Sequence, residues 1–456
     1  MTDQYGGCSG KLLSRRGVLR GAVAGVSTIA SSSAMKLWGT EQDDVYEGPL
    51  LVTLQLQGGA DVTQLCDPKV NVPGERKINY WADAADPGQS GNIAFAPIAD
   101  NAQLFQEFGS DMLVINGVDA QTNSHTTGQL FNWTGGTAEG RPSLSALFAA
   151  AQSPNQPLAY SVFGGFSRTA GLIGYNQFSN VGASVLSSAR TLVQPYLSPW
   201  DGNPRHLPSD IARAHSMVQA DIRGLLAGPH LSVRQRRSLL GFTEARAGRD
   251  SLERLAELIP DEADVMRSED VTVGGRNFRF NLKEQMQSAL LVFKSGLGSA
   301  ADLSLGTFDS HEQHDAMSEA LLTHFSDAMR FFWDYAETLG IAERIVLVVG
   351  SDFGRTNFYN EGEGKDHWPI GSYLIMERNA PWGDRVVGLT DELHFGLPIN
   401  QETLKADRNG VIMTPAHVHK ALWEYLGLET FATDRGLTLP DAERLPLFDP
   451  FVSSVT

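Results

Sequence analysis

Three apolar runs, each passing directly into a turn that carries an acid, constrain this chain more than any other feature. They are "GPLLVTLQLQGGAD" from Gly48, "DMLVINGVD" from Asp111 and "RIVLVVG" from Arg344, the last followed by "SDFGRT". Short apolar runs that stop at glycine and acid read as buried strands. Between them lie stretches with helical spacing of apolar residues. "RPSLSALFAAAQ" begins with Pro142 near a helix start. "MSEALLTHFSDAMRFFWDYAETLGI" leads into the third strand, and "TPAHVHKALWEYLGL" offers Thr414 as N-cap and Pro415 at the first helical position. "GSYLIMER" and "DRVVGLT" read as further strands. Strands alternating with helices predict an α/β fold, a mostly parallel central sheet with helices on both faces in three layers. Residues 208–265, rich in arginine and acids at helical spacing, predict an inserted helical layer or cap within about 205–295.

The 456 residues suffice for one large domain, and 42% hydrophobic against 20% charged residues supports an ample core. A net charge of -17 argues against nucleic acid and acidic membrane surfaces as partners. Two cysteines, Cys8 and Cys66, make neither a disulfide framework nor a cysteine-rich zinc site.

The N-terminus reads as an address. "SRRGVLRGAVAGVSTIASSSA" places Arg15-Arg16 before a short, glycine-rich apolar run and small residues ending at Ala34. The pattern is that of a twin-arginine (Tat) export signal over 1–34, with a polar linker over 35–47 and one domain over 48–456. The bland alternative is an amphipathic basic helix. The run is too short for a stable membrane span. The expected location is periplasmic or secreted, with the Tat machinery as export partner and no stable membrane insertion after processing.

The chemistry-bearing residues cluster where strands end. Asp61 closes the first strand. Ser124-His125 heads a helix after the second. "FDSHEQH" carries Asp309, His311 and His314 before the long helix, and "SDFGRTNFYNEGEGKDHW" carries Asp352, Arg355, Asp366 and His367. Loops at the C-terminal ends of parallel strands converge on one edge. Carboxylates and imidazoles gathered there suit zinc, manganese or magnesium, one or two ions. Each residue also has a plain reading. Asp61 caps a turn, Ser124 caps a helix, Asp352 pairs with Arg355, Asp366-His367 is a surface turn, and His324 is structural.

In order along the chain, "LQGGAD", "SH" at a helix start, "FDSH", "SDFGRT" and "DH" resemble the DUF1501 family of exported bacterial proteins. That family looks like a branch of the alkaline phosphatase, sulfatase and phosphoglycerate-mutase-like superfamily. The resemblance spans roughly residues 48–430 and implies an alkaline-phosphatase-like domain with a metal site at the sheet edge. It implies Asp61, Asp309, His311, Asp352 and His367 as metal ligands and Ser124 as nucleophile. One departure stands out: Phe353 occupies the place of a second histidine ligand, so His125 or Asp366 is expected to replace it. Phe353 itself is expected to turn into the core. The "CDPKV" segment at Cys66 lacks the arginine of a sulfatase motif.

These readings predict a metal-dependent hydrolase of phosphate esters or related tetrahedral-anion esters. Ser124 is the nucleophile, and Arg355 grips the anionic ester substrate with its guanidinium fork. The alternative is a non-catalytic exported binding or assembly protein with an incomplete metal site. A metal-free serine hydrolase ranks last, because no Gly-x-Ser-x-Gly elbow surrounds Ser124.

Overall fold

The segment Leu50–Leu56 is buried along its whole length. A strand covered on both faces and paired on both edges reads as such a continuous apolar run. In the computed structural model it pairs in parallel with Ile345–Ser351 on one side and Ala300–Leu305 on the other. The structure describes residues 45–178, 206–228, 252–439 and 442–452, with a few positions between 231 and 239. The signal at 1–34 and most of the linker lie outside the described residues. Val45 to Thr456 groups as one unit by its contacts.

Eight strands of the described residues form the central sheet: β1 (Leu50–Leu56), β2 (Met112–Asp119), β3 (Tyr160–Val162), β4 (Asn176–Gln177), β5 (Ala300–Leu305), β6 (Ile345–Ser351), β7 (Ile370–Met376) and β8 (Arg385–Val387). Their order is β8-β2-β7-β6-β1-β5-β3-β4. All are mutually parallel except β7, which runs antiparallel to both of its neighbours, β6 and β2. The C-terminal ends of β1, β2, β5 and β6 therefore share one edge, and the reversed β7 begins at that same edge.

The helices that matter are α1 (Asn101–Phe108), α2 (His125–Thr134), α3 (Leu144–Gln152), α4 (Pro208–Ala227), α5 (Leu282–Lys294), α6 (His314–Thr338) and α7 (Pro415–Tyr425). Alternating strand residues feed two cores, as a period of two requires. Leu50, Val52, Leu54, Ile345, Leu347 and Val349 pack with Met286 and Phe293 of α5 and Phe325 and Phe332 of α6. Leu51, Val346 and Val348 pack on the opposite face with Leu144 and Phe148 of α3 and Val418 and Leu422 of α7. Each such side chain contributes on the order of 1.5–3 kcal/mol by leaving water. These are the three layers predicted from the alternation. Thr414 caps α7 as read, its backbone N–H donating to His417 Nδ1 at 3.1 Å.

The expected helical insertion differs in part. Pro208–Ala227 and residues 252–258 are helical. Glu269–Val273 and Arg276–Phe280 instead pair as an antiparallel hairpin. The period-two alternation flanking Gly274-Gly275 is the physical reason. Helix α5, inside the expected insertion, belongs to the main layer and buries Met286, Leu290 and Phe293 against the sheet.

Candidate metal centre

The parallel strands bring their loops together on one edge, and β7 supplies His367 there only because it runs the other way. Asp309 lies four residues after β5, His125 opens α2 after β2, and His367-Trp368 pairs with Gly354-Arg355 just beyond β6. His125, Asp309 and His367 present ligand atoms that all lie within 4.8 Å of one another.

The Asp309 carboxylate is the hub. Its Oδ1 lies 3.1 Å from His367 Nε2 and 3.0 Å from His311 Nε2, and its Oδ2 lies 3.4 Å from His125 Nε2. Burial pushes this carboxyl up, but the Arg355 guanidinium and the histidines overcome that and hold it at about 2. It is an anion throughout the physiological range.

Each imidazole is tied from behind at Nδ1. His367 Nδ1 meets the Asn123 carbonyl at 2.8 Å, His311 Nδ1 meets Asp366 Oδ1 at 2.7 Å, and His125 Nδ1 meets Asp352 Oδ2 at 2.8 Å. A carbonyl only accepts, so the His367 proton sits on Nδ1. Asp366 is held below the usual carboxylate range, chiefly by its bond from His311, so it also accepts. The Nε2 atoms of His311 and His367 face each other at 3.2 Å, each also close to Asp309 Oδ1; in the neutral rings they present lone pairs, and in the protonated rings they donate to that carboxylate. His125 Nε2 is buried without a hydrogen-bond partner. Lone pairs held in this way repel unless a proton or a cation sits among them. Donor atoms on a tetrahedral zinc with bonds near 2.0–2.1 Å are separated by about 3.3 Å; the Asp309–histidine and His311–His367 spacings of 3.0 to 3.4 Å lie near that value, and His125, Asp309 and His367 stand within 4.8 Å of one another. Histidine backed by carboxylate or carbonyl is also the usual outer support of a metal-ligating imidazole. The donor set fits a divalent cation.

The expected residues divide accordingly. His125, Asp309, His311 and His367 come together. Asp366 and Asp352 stand behind them: Asp352 is 1% exposed and accepts at Oδ2 from His125 and from the Gly58 N–H at 3.1 Å. Burial raises its carboxyl, with His125 pulling the other way. Two roles change. Asp61, read as a ligand, is buried, and its Oδ2 is committed to Lys365 Nζ at 2.6 Å and His314 Nε2 at 3.0 Å. Arg355, read as the anion clamp, has no exposed surface. Its guanidinium donates to the carbonyls of Gly58, Gly59 and Lys365 and to Asp309. A fork spent on three backbone carbonyls and a carboxylate cannot grip a substrate. Asp352 pairs with His125, not with Arg355, as the plain reading had it.

Phe353 is 2% exposed, with its ring centroid 4.8 Å from that of His125 and 4.7 Å from that of His367. It turns inward and floors the cluster. Ser124 occupies the N-cap of α2 but makes no capping bond and is exposed. In sequence it lies between Asn123, which anchors His367, and His125. Reasoning from sequence passed over Lys365 and placed His314 among the clustered residues without a role, solvent-facing in its plain reading, whereas it is buried. Their only signal was proximity in sequence to the donors.

An α/β sheet whose edge gathers three imidazoles around one carboxylate defines an α/β protein with a candidate metal centre. The chain belongs to the family described as protein of unknown function DUF1501, whose model matches residues 49–409. Among curated proteins none matches it. Similar solved structures include a protein in the alkaline phosphatase superfamily from Vibrio parahaemolyticus, 9% identical, covering 84% of this chain and 67% of that one with a TM-score of 0.37. They also include the PsFucS1 sulfatase from Pseudoalteromonas sp., 11% identical, covering 90% and 74% with a TM-score of 0.36.

Proposed function

We propose that this protein is an exported metal-dependent hydrolase of phosphate esters or related tetrahedral-anion esters. The observation that carries the reading is the pair of Nε2 atoms on His311 and His367, 3.2 Å apart and both turned to Asp309 Oδ1 at 3.0 and 3.1 Å. His125, His311, His367 and Asp309 would hold one divalent cation, zinc or manganese suiting the nitrogen-rich set better than magnesium. A cation there supplies positive charge to the oxygens of an anionic ester and lowers the pKa of a neighbouring hydroxyl.

The chain's own residues do the rest. Asn123, Asp352 and Asp366 lock the three rings, so no reorganisation is needed when substrate arrives. Ser124, exposed at the N-terminus of the ten-residue α2, is the nucleophile of this reading. The helix end favours the charge of the incoming anion. The exposed edges of Asp309 and His311 leave the cluster open to a small substrate.

The test is elemental analysis beside a panel of phosphomonoester, phosphodiester and sulfate ester substrates. About one divalent ion per chain and ester hydrolysis that Ser124→Ala abolishes, with metal retained, support the proposal. Metal without turnover of any ester favours the second reading, a binding or assembly protein of the same fold. What favours that reading is Asp61, closed off by Lys365, together with Phe353, which offers no ligand atom. Absence of both metal and turnover overturns the hydrolase.

A further inference from the structure

The two segments that carry Asp309, His311 and His367, three of the cluster's four donors, are 309–314 and 362–367, and they are laced together. Glu312 and Glu363 form an antiparallel bridge. His314 N–H donates to the Glu363 carbonyl at 3.0 Å, and Lys365 N–H to the Ser310 carbonyl at 3.3 Å. The crossing is close enough that a Cβ at Gly364 would fall 1.8 Å from the His311 carbonyl oxygen, so only glycine fits.

Under this crossing stands Asp61. Lys365 Nζ, without exposed surface, sits among three oxygens: Asp61 Oδ2 at 2.6 Å, Asn79 Oδ1 at 3.1 Å and Thr63 Oγ1 at 3.4 Å. The same Oδ2 receives His314 Nε2 at 3.0 Å, and His314 Nδ1 meets the Ser310 hydroxyl at 2.8 Å. Asp61 accepts from His314 Nε2–H, which leaves Nδ1 to accept the Ser310 O–H. Asp61 Oδ1 is held by Thr63 N–H and Oγ1 at 2.9 and 2.7 Å. Burial alone pushes this carboxyl up, but Lys365 and His314 hold it well below the usual carboxylate range.

One buried carboxylate thus reaches both donor segments. Through Lys365 it holds the residue next to Asp366-His367. Through His314 and Ser310 it holds the residue between Asp309 and His311. We infer that Asp61, Lys365, His314 and Ser310 are positioning residues: Lys365 is the built-in cation of the Asp61 pocket, and the chain from Lys365 to Ser310 sets the distance between His311 and His367. This rests on the cation reading of the cluster and deepens it. A buried charge is stable only when paired and fully hydrogen-bonded, so the register of the two segments is bound to the integrity of the pair.

The experiment uses the full mature chain and three variants. Lys365→Met removes the charge at similar length, Asp61→Asn keeps the shape, and Ser310→Ala removes the last link while leaving both charges, so it folds even if the other two do not. Zinc affinity is measured by chelator competition, the cobalt form by its visible spectrum, and the metal-free form by hydrogen exchange. The expected result is a 10- to 100-fold loss of zinc affinity, the range for outer supports of a metal site. A changed cobalt spectrum should accompany it, as should faster exchange in residues 309–314 and 362–367 together, with α7 unchanged. Folded variants with wild-type affinity, spectrum and exchange overturn the inference. If wild type binds no zinc or cobalt, the cation reading fails instead. The positioning role is then judged by exchange alone: joint loosening of the two segments in Ser310→Ala sustains it, and unchanged exchange refutes it.

Discussion

Arg355 Nη2 lies 2.6 Å from Asp309 Oδ1, and the same guanidinium closes on the carbonyls of Gly58, Gly59 and Lys365. The arginine ties the turn after β1 to the loop after β6 and aims the hub carboxylate. Gly58 makes room: at φ +107 its Cβ would stand 2.5 Å from the Asp309 backbone nitrogen. Removing the guanidinium orphans several buried acceptors, each costing about 1–3 kcal/mol. Arg355→Met is expected to lower stability by at least ~3 kcal/mol in urea unfolding, and Arg355→Lys by nearly as much, since an ammonium cannot replace a planar fork. A loss below about 1 kcal/mol for Arg355→Met would show that the knot contributes little.

Chelation should destabilise the protein. A ligand that binds only the folded state contributes about 2.7 kcal/mol when present at 100 times its Kd. Wild type in zinc at that excess should lose about this much on adding a chelator, with a matching fall in Tm. His367→Ala and His125→Ala should show little or no chelator effect and carry less metal per chain. An equal chelator effect in His367→Ala would remove that residue from the donor set.

Phe353 is a floor, not a donor. Phe353→Leu keeps most of the apolar volume and should leave bound metal near wild type at a cost of about 1–1.5 kcal/mol. Phe353→Ala opens a cavity under His125 and His367 and should cost about 3–5 kcal/mol. Metal lost in full with Phe353→Leu would mean that the ring does more than support.

Asp302 gives a pH signature away from the cluster. It lies in the middle of β5, fully buried, and accepts from Thr53 Oγ1 at 2.7 Å and from the Tyr160 hydroxyl. Burial pushes its carboxyl up from an ordinary 3.8 to about 6, against bonds from Ser145, Thr53 and Tyr160 that pull it down. Between pH about 4 and 6 the folded state keeps a proton that the unfolded state has released, so stability falls as pH rises through that window. Two units correspond to on the order of 3 kcal/mol. Asp302→Asn cannot titrate. Relative to this variant, wild type should lose about that amount between pH 4 and pH 7. Parallel stability curves for the two proteins would contradict the assignment.

Export is tested at Arg15-Arg16. Replacing both by lysine should leave an uncut precursor in the cytoplasm. Normal export of that double variant would remove the twin-arginine reading.

The layers of this fold and the places where its chemistry gathers were readable along the chain because burial leaves a local mark. β1 and β6 are mostly apolar runs, the helices repeat at helical spacing, and acids and histidines follow where the strands stop. β5 was not readable. "AADLSL" is short, four of its six residues are small or polar, Asp302 interrupts it, and it is a strand because β1 and β3 pair with it on both edges. The reversed direction of β7 was equally hidden, yet it decides that His367 reaches the cluster. Which cation faces which acid was settled in three dimensions too. Asp61 and Lys365 are 304 positions apart, and Arg355 chose Asp309 over its near neighbour Asp352. Local sequence carries periodicity and turn chemistry, because those act over a few residues. The pairing of buried charges depends on which segments the packed sheet brings within about 3 Å, where hydrogen bonds form, and no short stretch of chain contains that distance.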